Sequence, residues 1–186
     1  MNKKVDRILI AEDTEVARVA MSKTLADSGY SVVEADCGEV ALAECQRKMP
    51  DLAIIDIGLP DLSGLVVADY IKDHIPFIVV TADGSHASRQ ECIGAGAYSY
   101  LVKPFNPNQL TPIVETALAR ARDHYNISLA LDRTQKFNIA VGIIMARKAL
   151  SVEEAKAKLL KSATDSRKSA AEKADEVIQA NSAFNL

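Results

Sequence analysis

A chain of 186 residues with 48% hydrophobic and 25% charged side chains has the balance of a globular protein and the length for one ordinary domain plus a small second one. It contains nothing like the ~20 consecutive apolar residues of a membrane-spanning helix, which excludes a transmembrane class and points to the cytoplasm. Three cysteines without C-x-x-C spacing and three scattered histidines suggest neither a disulfide framework nor a zinc site.

The N-terminal Met1-Asn2-Lys3-Lys4 is followed only by Ile8-Leu9-Ile10-Ala11 before Glu12 and Asp13 interrupt, too short an apolar run for an export signal. The net charge of −3 hides an asymmetry: residues 1–119 hold 10 Lys/Arg against 17 Asp/Glu, whereas residues 120–186 hold 12 against 8. The two halves are therefore expected to meet different partners.

Five short apolar runs lead the chain: Arg7 to Ala11, Ser31 to Ala35, Leu52 to Asp56, Phe77 to Thr81 and Tyr98 to Val102. Most are continuous rather than alternating, as in strands covered on both faces. Segments of helical length separate them, with start signals at Asp36-x-x-Glu39 and Asn106-Pro107. Strands joined by crossover helices run parallel, which gives an α/β fold: a doubly wound five-stranded parallel sheet with its site at the carboxyl ends of the strands.

Beyond Asn106 no strand-like run occurs. A long helix to Lys148 is expected, bent early by Pro112, with Ile113, Ala117, Ala121, Leu131, Phe137, Val141 and Ile144 available for apolar faces. Capping boxes at Ser151-x-x-Glu154 and Ser169-x-x-Glu172 announce two more helices. The expected organisation is residues 1–122 as the α/β domain and 123–186 as a small all-α three-helix module, joined by a continuous helix.

Glu12, Asp13, Asp56, Thr81 and Lys103 all fall at the carboxyl ends of predicted strands. Three carboxylates from the neighbouring first and third strands repel unless a cation joins them, and Mg²⁺ accepts such hard oxygen ligands. Asp56 then serves as a nucleophile towards phosphorus, with Thr81 donating to one phosphoryl oxygen and Lys103 pairing with another. Lys103-Pro104 offers a possible cis peptide to aim the lysine. A single carboxylate at a strand end is commonly only a cap or a solvated charge; five suitable residues on one edge argue for a site.

The motifs Ala11-Glu12-Asp13, Ile55-Asp56-Ile57-Gly58-Leu59-Pro60, Val80-Thr81-Ala82 and Lys103-Pro104-Phe105 make residues 5–120 resemble the receiver domain of bacterial two-component response regulators, a flavodoxin-like fold. The resemblance implies phosphorylation of Asp56 by a sensor histidine kinase. It also implies Mg²⁺ ligation by Glu12, Asp13, Asp56 and the Gly58 carbonyl, and a switch formed by Thr81, Lys103 and Tyr100. The interval from Asp56 to Thr81 is shorter than the family's, which implies a trimmed third helix or flanking loop.

Residues 125–180, with Phe137-Asn138-Ile139-Ala140-Val141-Gly142-Ile143-Ile144-Met145 and Leu150-Ser151-x-x-Glu154-Ala155, resemble the ANTAR domain, an RNA-binding antiterminator module. Val141 replaces its lysine, and Lys156, Leu160 and Thr164 replace an aromatic, an arginine and a methionine. Arg147, Lys148, Lys156 and Lys161 are the candidate RNA contacts, since RNA recognition relies on cations for phosphate. The alternative for this module is protein contact or dimerisation without RNA. A homodimer is expected on phosphorylation, through Ile113, Ala117 and Ala121. A turnover enzyme is disfavoured: the chain lacks a G-x-x-x-x-G-K-[ST] loop, a G-x-S-x-G elbow and an H-E-x-x-H pair. Gly58 also stands where a haloacid-dehalogenase-type phosphatase carries a second Asp. Slow self-dephosphorylation is the only chemistry expected.

Overall fold

The computed structural model describes residues 5–183, so the start at Met1 to Lys4 lies outside the described residues. The elements are β1 (Arg7–Ala11), α1 (Glu15–Asp27), β2 (Ser31–Ala35), α2 (Gly38–Arg47), β3 (Leu52–Asp56), α3 (Gly64–Ile71), β4 (Phe77–Thr81), α4 (His86–Gly94) and β5 (Ser99–Val102). A 3₁₀ turn (Pro107–Gln109), α5 (Leu110–Lys148), α6 (Val152–Asp165) and α7 (Ala170–Ser182) complete the chain. Contacts divide it into two units, Met1–Arg122 and Asp123–Leu186, with the boundary inside α5.

In the first unit the five strands form one sheet in the order β2-β1-β3-β4-β5, every neighbouring pair parallel. Alternate strand residues feed two separate cores. Leu9, Ala11, Ala53, Ile55, Phe77 and Val79 pack with Ala41 and Cys45 of α2, Val67, Ala68 and Ile71 of α3, and Cys92 of α4. Ile8, Ile10, Leu52, Ile54, Ile78 and Val80 pack with Met21 and Leu25 of α1 and with Leu110, Val114, Ala117 and Leu118 of α5. Both faces are covered, so each strand is apolar on both sides and its sequence is a continuous run. The order reverses between β1 and β3, which places a crevice at the carboxyl ends of those two strands.

Local signals account for most boundaries. Asn106 and Gln109 cap the 3₁₀ turn reciprocally, and Ser151 with Glu154 and Ser169 with Glu172 form capping boxes on α6 and α7. The expected cap at Asp36 is different: α2 begins after Cys37, whose side chain makes no cap bond. Asp61, from the loop after β3, accepts instead from the Gly38 and Glu39 backbone N–H groups at 2.7 and 2.8 Å. A carboxylate that reaches two orphan donors at once displaces a local candidate. Pro112 lies in the first turn of α5, where a missing N–H removes no intrahelical bond, so no bend is required there.

In the second unit, Ala140 and Val141 of α5, Ala155 and Leu159 of α6 and Ala174 of α7 form a core, joined by the partly buried Phe137, Ile144, Met145, Leu150, Val177 and Ile178. Leu131, expected on an apolar face, is 65% exposed. The dimer seam expected at Ile113, Ala117 and Ala121 is also not free: Ala117 is 2% exposed and Ile113 packs on the sheet. The left-handed turns that end α1 and α4 hold Gly29 (φ 90°) and Gly96 (φ 91°), while those after α5 and α6 hold Ala149 (φ 51°) and Arg167 (φ 54°).

The hydrogen bonds from Glu39 first and then Gly38 hold the Asp61 carboxyl down to about 2. A depressed folded pKa contributes stability above the ordinary carboxylate range and loses it as pH falls through the folded value. Asp61→Ala is therefore expected to lower the melting temperature by several degrees above pH ~5. Circular dichroism melts should show that gap closing between about pH 4 and pH 2; a pH-independent gap contradicts the cap.

Candidate functional site

The pocket is assembled where three strand ends meet. β1 stops at Ala11 and β3 at Asp56, and the ladder continues one step further on each side. Glu12 N–H donates to Ala35 O at 3.0 Å, Ile57 N–H to Val80 O at 3.0 Å and Lys103 N–H to Thr81 O at 2.8 Å. The sheet thus fixes the residues that carry charge as firmly as those that carry the core. Glu12 is fully buried, Asp56 and Thr81 are buried, and Asp13 faces solvent.

Ligand atoms of Glu12, Asp13 and Asp56 all lie within 4.8 Å of one another. Lys103 Nζ joins two of these groups, 2.6 Å from Asp56 Oδ2 and 2.7 Å from both Glu12 oxygens. Its hydrogen bond goes to Glu12 Oε1, which also accepts from Thr14 N–H at 3.3 Å; Glu12 Oε2 is buried without a hydrogen-bond partner. Asp56 Oδ1 accepts from Gly58 N–H at 3.1 Å. Burial pulls the Lys103 ammonium down, but the hydrogen bonds to Asp56 and Glu12 and their charges outweigh it, and the net shift is upward. Lys103 is held as a cation between two carboxylates.

One ammonium does not offset three carboxylates. The hard oxygen donors of Glu12, Asp13 and Asp56, gathered within 4.8 Å of one another, fit a small divalent cation.

The other expected site residues are placed less uniformly. Thr81 Oγ1 is engaged in its own turn, accepting from Asp83 N–H at 3.0 Å and donating to Asp83 O at 3.4 Å. Tyr100 is half-buried against the core that contains Phe77 and Val79, and the Arg89 guanidinium lies 5.0 Å from its ring centroid, a cation–π contact that the motifs did not reveal. The Lys103-Pro104 peptide is cis. Arg147 and Lys148 end α5, and Lys156 and Lys161 lie on α6, all exposed.

Gly64 was missed by motif reading. A Cβ on it would stand 2.0 Å from the main-chain oxygen of Asp56, while its N–H donates to Ile57 O at 3.0 Å. Only glycine lets α3 begin this close to the strand that presents Asp56. No sequence signal separates it from an ordinary turn glycine.

The family described as "Response regulator receiver domain" matches residues 8–115. The chain belongs to the response regulator receiver family. The receiver is similar to the transcriptional regulatory protein PdtaR of Mycobacterium tuberculosis, 37% identical over 120 residues, covering 63% of this chain and 58% of that protein. It is also similar to the Bacillus subtilis alkaline phosphatase synthesis transcriptional regulatory protein PhoP, 32% identical over 124 residues, 65% of this chain and 50% of PhoP. The chain thus matches about half the length of these relatives. Among solved structures, a CheY-like receiver domain protein from Methanospirillum hungatei JF-1 superposes with a TM-score of 0.61 at 28% identity, over 65% of this chain and 99% of that one. Among the described residues of the chain, no helix is long and apolar enough to cross a membrane.

Removing Lys103 from the receiver leaves the buried Glu12 charge without a counter-charge. Breaking a buried pair in this way costs about 3 kcal/mol, the low end because the Lys103 side chain is 26% exposed. Lys103→Ala is expected to lose that much in urea unfolding with chelator present and to recover part of it in Mg²⁺. Equal stability of variant and wild type in chelator contradicts the pairing.

Proposed function

We propose that this chain is a cytoplasmic response regulator whose Asp56 accepts a phosphoryl group from a sensor histidine kinase and whose helical unit carries the output. The observation that carries the proposal is the Asp56 carboxylate, buried at the switch point of the sheet with Lys103 at 2.6 Å and two further carboxylates within 4.8 Å. An Asp56 oxygen forms the new bond to phosphorus as the P–N bond of a phosphohistidine breaks, its electron pair returning to the imidazole. Lys103 is in place to pair with a phosphoryl oxygen. Thr81 reaches another by exchanging its turn contacts with Asp83, and Tyr100 on β5 is the aromatic member of the switch. Glu12, Asp13, Asp56 and the Gly58 carbonyl would hold Mg²⁺, which supplies charge neutralisation for the acceptor and the incoming group. Turnover is limited to slow self-dephosphorylation.

For the output, RNA binding is supported by charge. Among the described residues Lys148, Lys156, Lys158 and Lys161 make no ion pair, whereas Lys136, Lys168 and Lys173 are paired with Asp132, Asp175 or Glu176. The similarity to a transcriptional regulatory protein and the ANTAR-like sequence agree with an antiterminator. The rival reading, protein contact without RNA, is favoured by a different observation: Tyr125, Ile127, Leu131 and Ile139 leave apolar surface exposed on α5. A homodimer formed there on phosphorylation would serve either reading.

With Mg²⁺ and a small phosphoramidate donor, intact mass should show one phosphoryl group on the wild type and none on Asp56→Asn; equal labelling refutes the acceptor assignment. A pool of structured leader RNAs titrated at two salt concentrations tests the output. Binding should strengthen with beryllofluoride, weaken with salt, and fall roughly tenfold or more in Lys156→Glu/Lys161→Glu, because phosphate contacts release counterions. If the activated dimer binds no RNA at low salt, the protein-contact reading replaces the antiterminator.

A further inference from the structure

The two acidic residues at the end of β1 sit on a three-residue turn, and something must hold that turn against the repulsion of its own charges. Glu12 N–H is bound to β2, Thr14 N–H to Glu12 Oε1 and Arg18 N–H to Thr14 O, but none of these ties holds the main-chain oxygens of Glu12 and Asp13. The Arg18 side chain, from the first turns of α1 and only 15% exposed, supplies two more ties. Its Nη1 donates to the main-chain oxygens of Glu12 at 2.8 Å and Asp13 at 3.2 Å. The other edge of the guanidinium is anchored in turn: Nε donates to Glu34 Oε2 at 3.3 Å, and Glu34 Oε1 accepts from Ser22 Oγ at 2.6 Å. Glu34 is on β2 in register with Ile10 of β1. The guanidinium therefore bridges helix, turn and neighbouring strand.

Its contacts distinguish this arginine from an electrostatic partner of the pocket. It approaches peptide oxygens rather than the Glu12 and Asp13 carboxylates, and Glu34 offsets its charge. Its effect on the pocket is geometric. We infer that Arg18 is a positioning residue that fixes the separation of the Glu12 and Asp13 carboxylates and thereby makes the pocket selective for Mg²⁺ over Ca²⁺. The physical basis is the difference between the two ions. Mg²⁺ demands near-ideal octahedral geometry at 2.0–2.1 Å, while Ca²⁺ accepts irregular shells at 2.3–2.6 Å. A turn allowed to relax penalises the smaller ion far more than the larger. Lysine at position 18 keeps the charge but cannot present a planar fork.

The inference rests on the divalent-cation reading of the pocket, and the experiment separates the two. Calorimetric titrations of MgCl₂ and CaCl₂ into the full chain would compare wild type, Arg18→Lys, Arg18→Gln, Glu34→Gln and Asp13→Asn, with melting temperatures in chelator as the folding control. Loss of an outer partner of a metal ligand costs about 10–100-fold in affinity. Arg18→Lys and Arg18→Gln are expected to weaken Mg²⁺ at least about tenfold while changing Ca²⁺ much less. Glu34→Gln, which leaves Arg18 in place but loosens its anchor, should shift the Mg²⁺/Ca²⁺ ratio in the same direction by a smaller factor. A charge-only role gives the opposite pattern, with Arg18→Lys like wild type and Arg18→Gln binding both ions more tightly, and it overturns the inference. If wild type binds Mg²⁺ and Asp13→Asn loses it, but the Arg18 variants keep wild-type selectivity, the Arg18 assignment fails alone. If wild type binds neither ion, the pocket reading fails and takes this inference with it.

Discussion

The ammonium of Lys103 between Glu12 and Asp56 is the interaction on which the rest of the receiver depends. The topology gathers three carboxylates at one end of the sheet with oxygens within 4.8 Å of one another, and two unit charges about 5 Å apart repel by on the order of 3 kcal/mol at an effective dielectric of ~20. Glu12 has no access to water that would soften this. Lys103 follows β5, the edge strand, yet its side chain crosses over β4 to reach residues at the ends of β3 and β1. One flexible cation thereby ties β5 to β3 and β1 at the end where ligands bind. The same attachment leaves negative charge in excess, because one ammonium faces three carboxylates. A pocket built this way is stable enough to fold and still attracts a cation.

Around that centre, three contacts from outside the pocket fix the backbone that carries it. Asp61 binds the start of α2, Gly64 lets α3 press against the Asp56 main chain, and Arg18 fastens the acidic turn to α1 and β2. None of these contacts is large. Their common property is that they act on backbone atoms, so they set where the functional side chains begin rather than what those side chains touch.

This explains which parts of the protein were legible in the sequence. Strands covered on both faces are continuous apolar runs, and four of the five begin and end where those runs do; the fifth starts one residue later, at Ser99. Charged and hydroxyl residues directly after such runs mark the pocket, because parallel topology leaves them nowhere else to go. Asp61, Gly64 and Arg18 were not legible, since their partners lie some 20 residues away or are peptide groups without a side-chain signature. Asp36 illustrates the failure: its spacing to Glu39 satisfies a local rule, but a distant carboxylate with better reach won. For α5, periodicity identified an apolar stripe correctly but could not tell which turns meet a partner. Ala117 is buried and Leu131 is not, although both satisfy the same helical pattern.

The left-handed residues at the helix ends carry a consequence for how the molecule opens to solvent. In the receiver those positions belong to Gly29 and Gly96, but the helical unit places Ala149 and Arg167 there, at a cost of about 1 kcal/mol for each Cβ. The helical unit is also the smaller of the two and has the smaller core. Amide protons of α6 and α7 should therefore exchange well before those of β1, β3 and β4, with fraying that begins at the two strained turns and spreads along the helices. A ligand of the helical unit would meet a surface in equilibrium with its own partial unfolding, and binding would slow that exchange in step with its affinity.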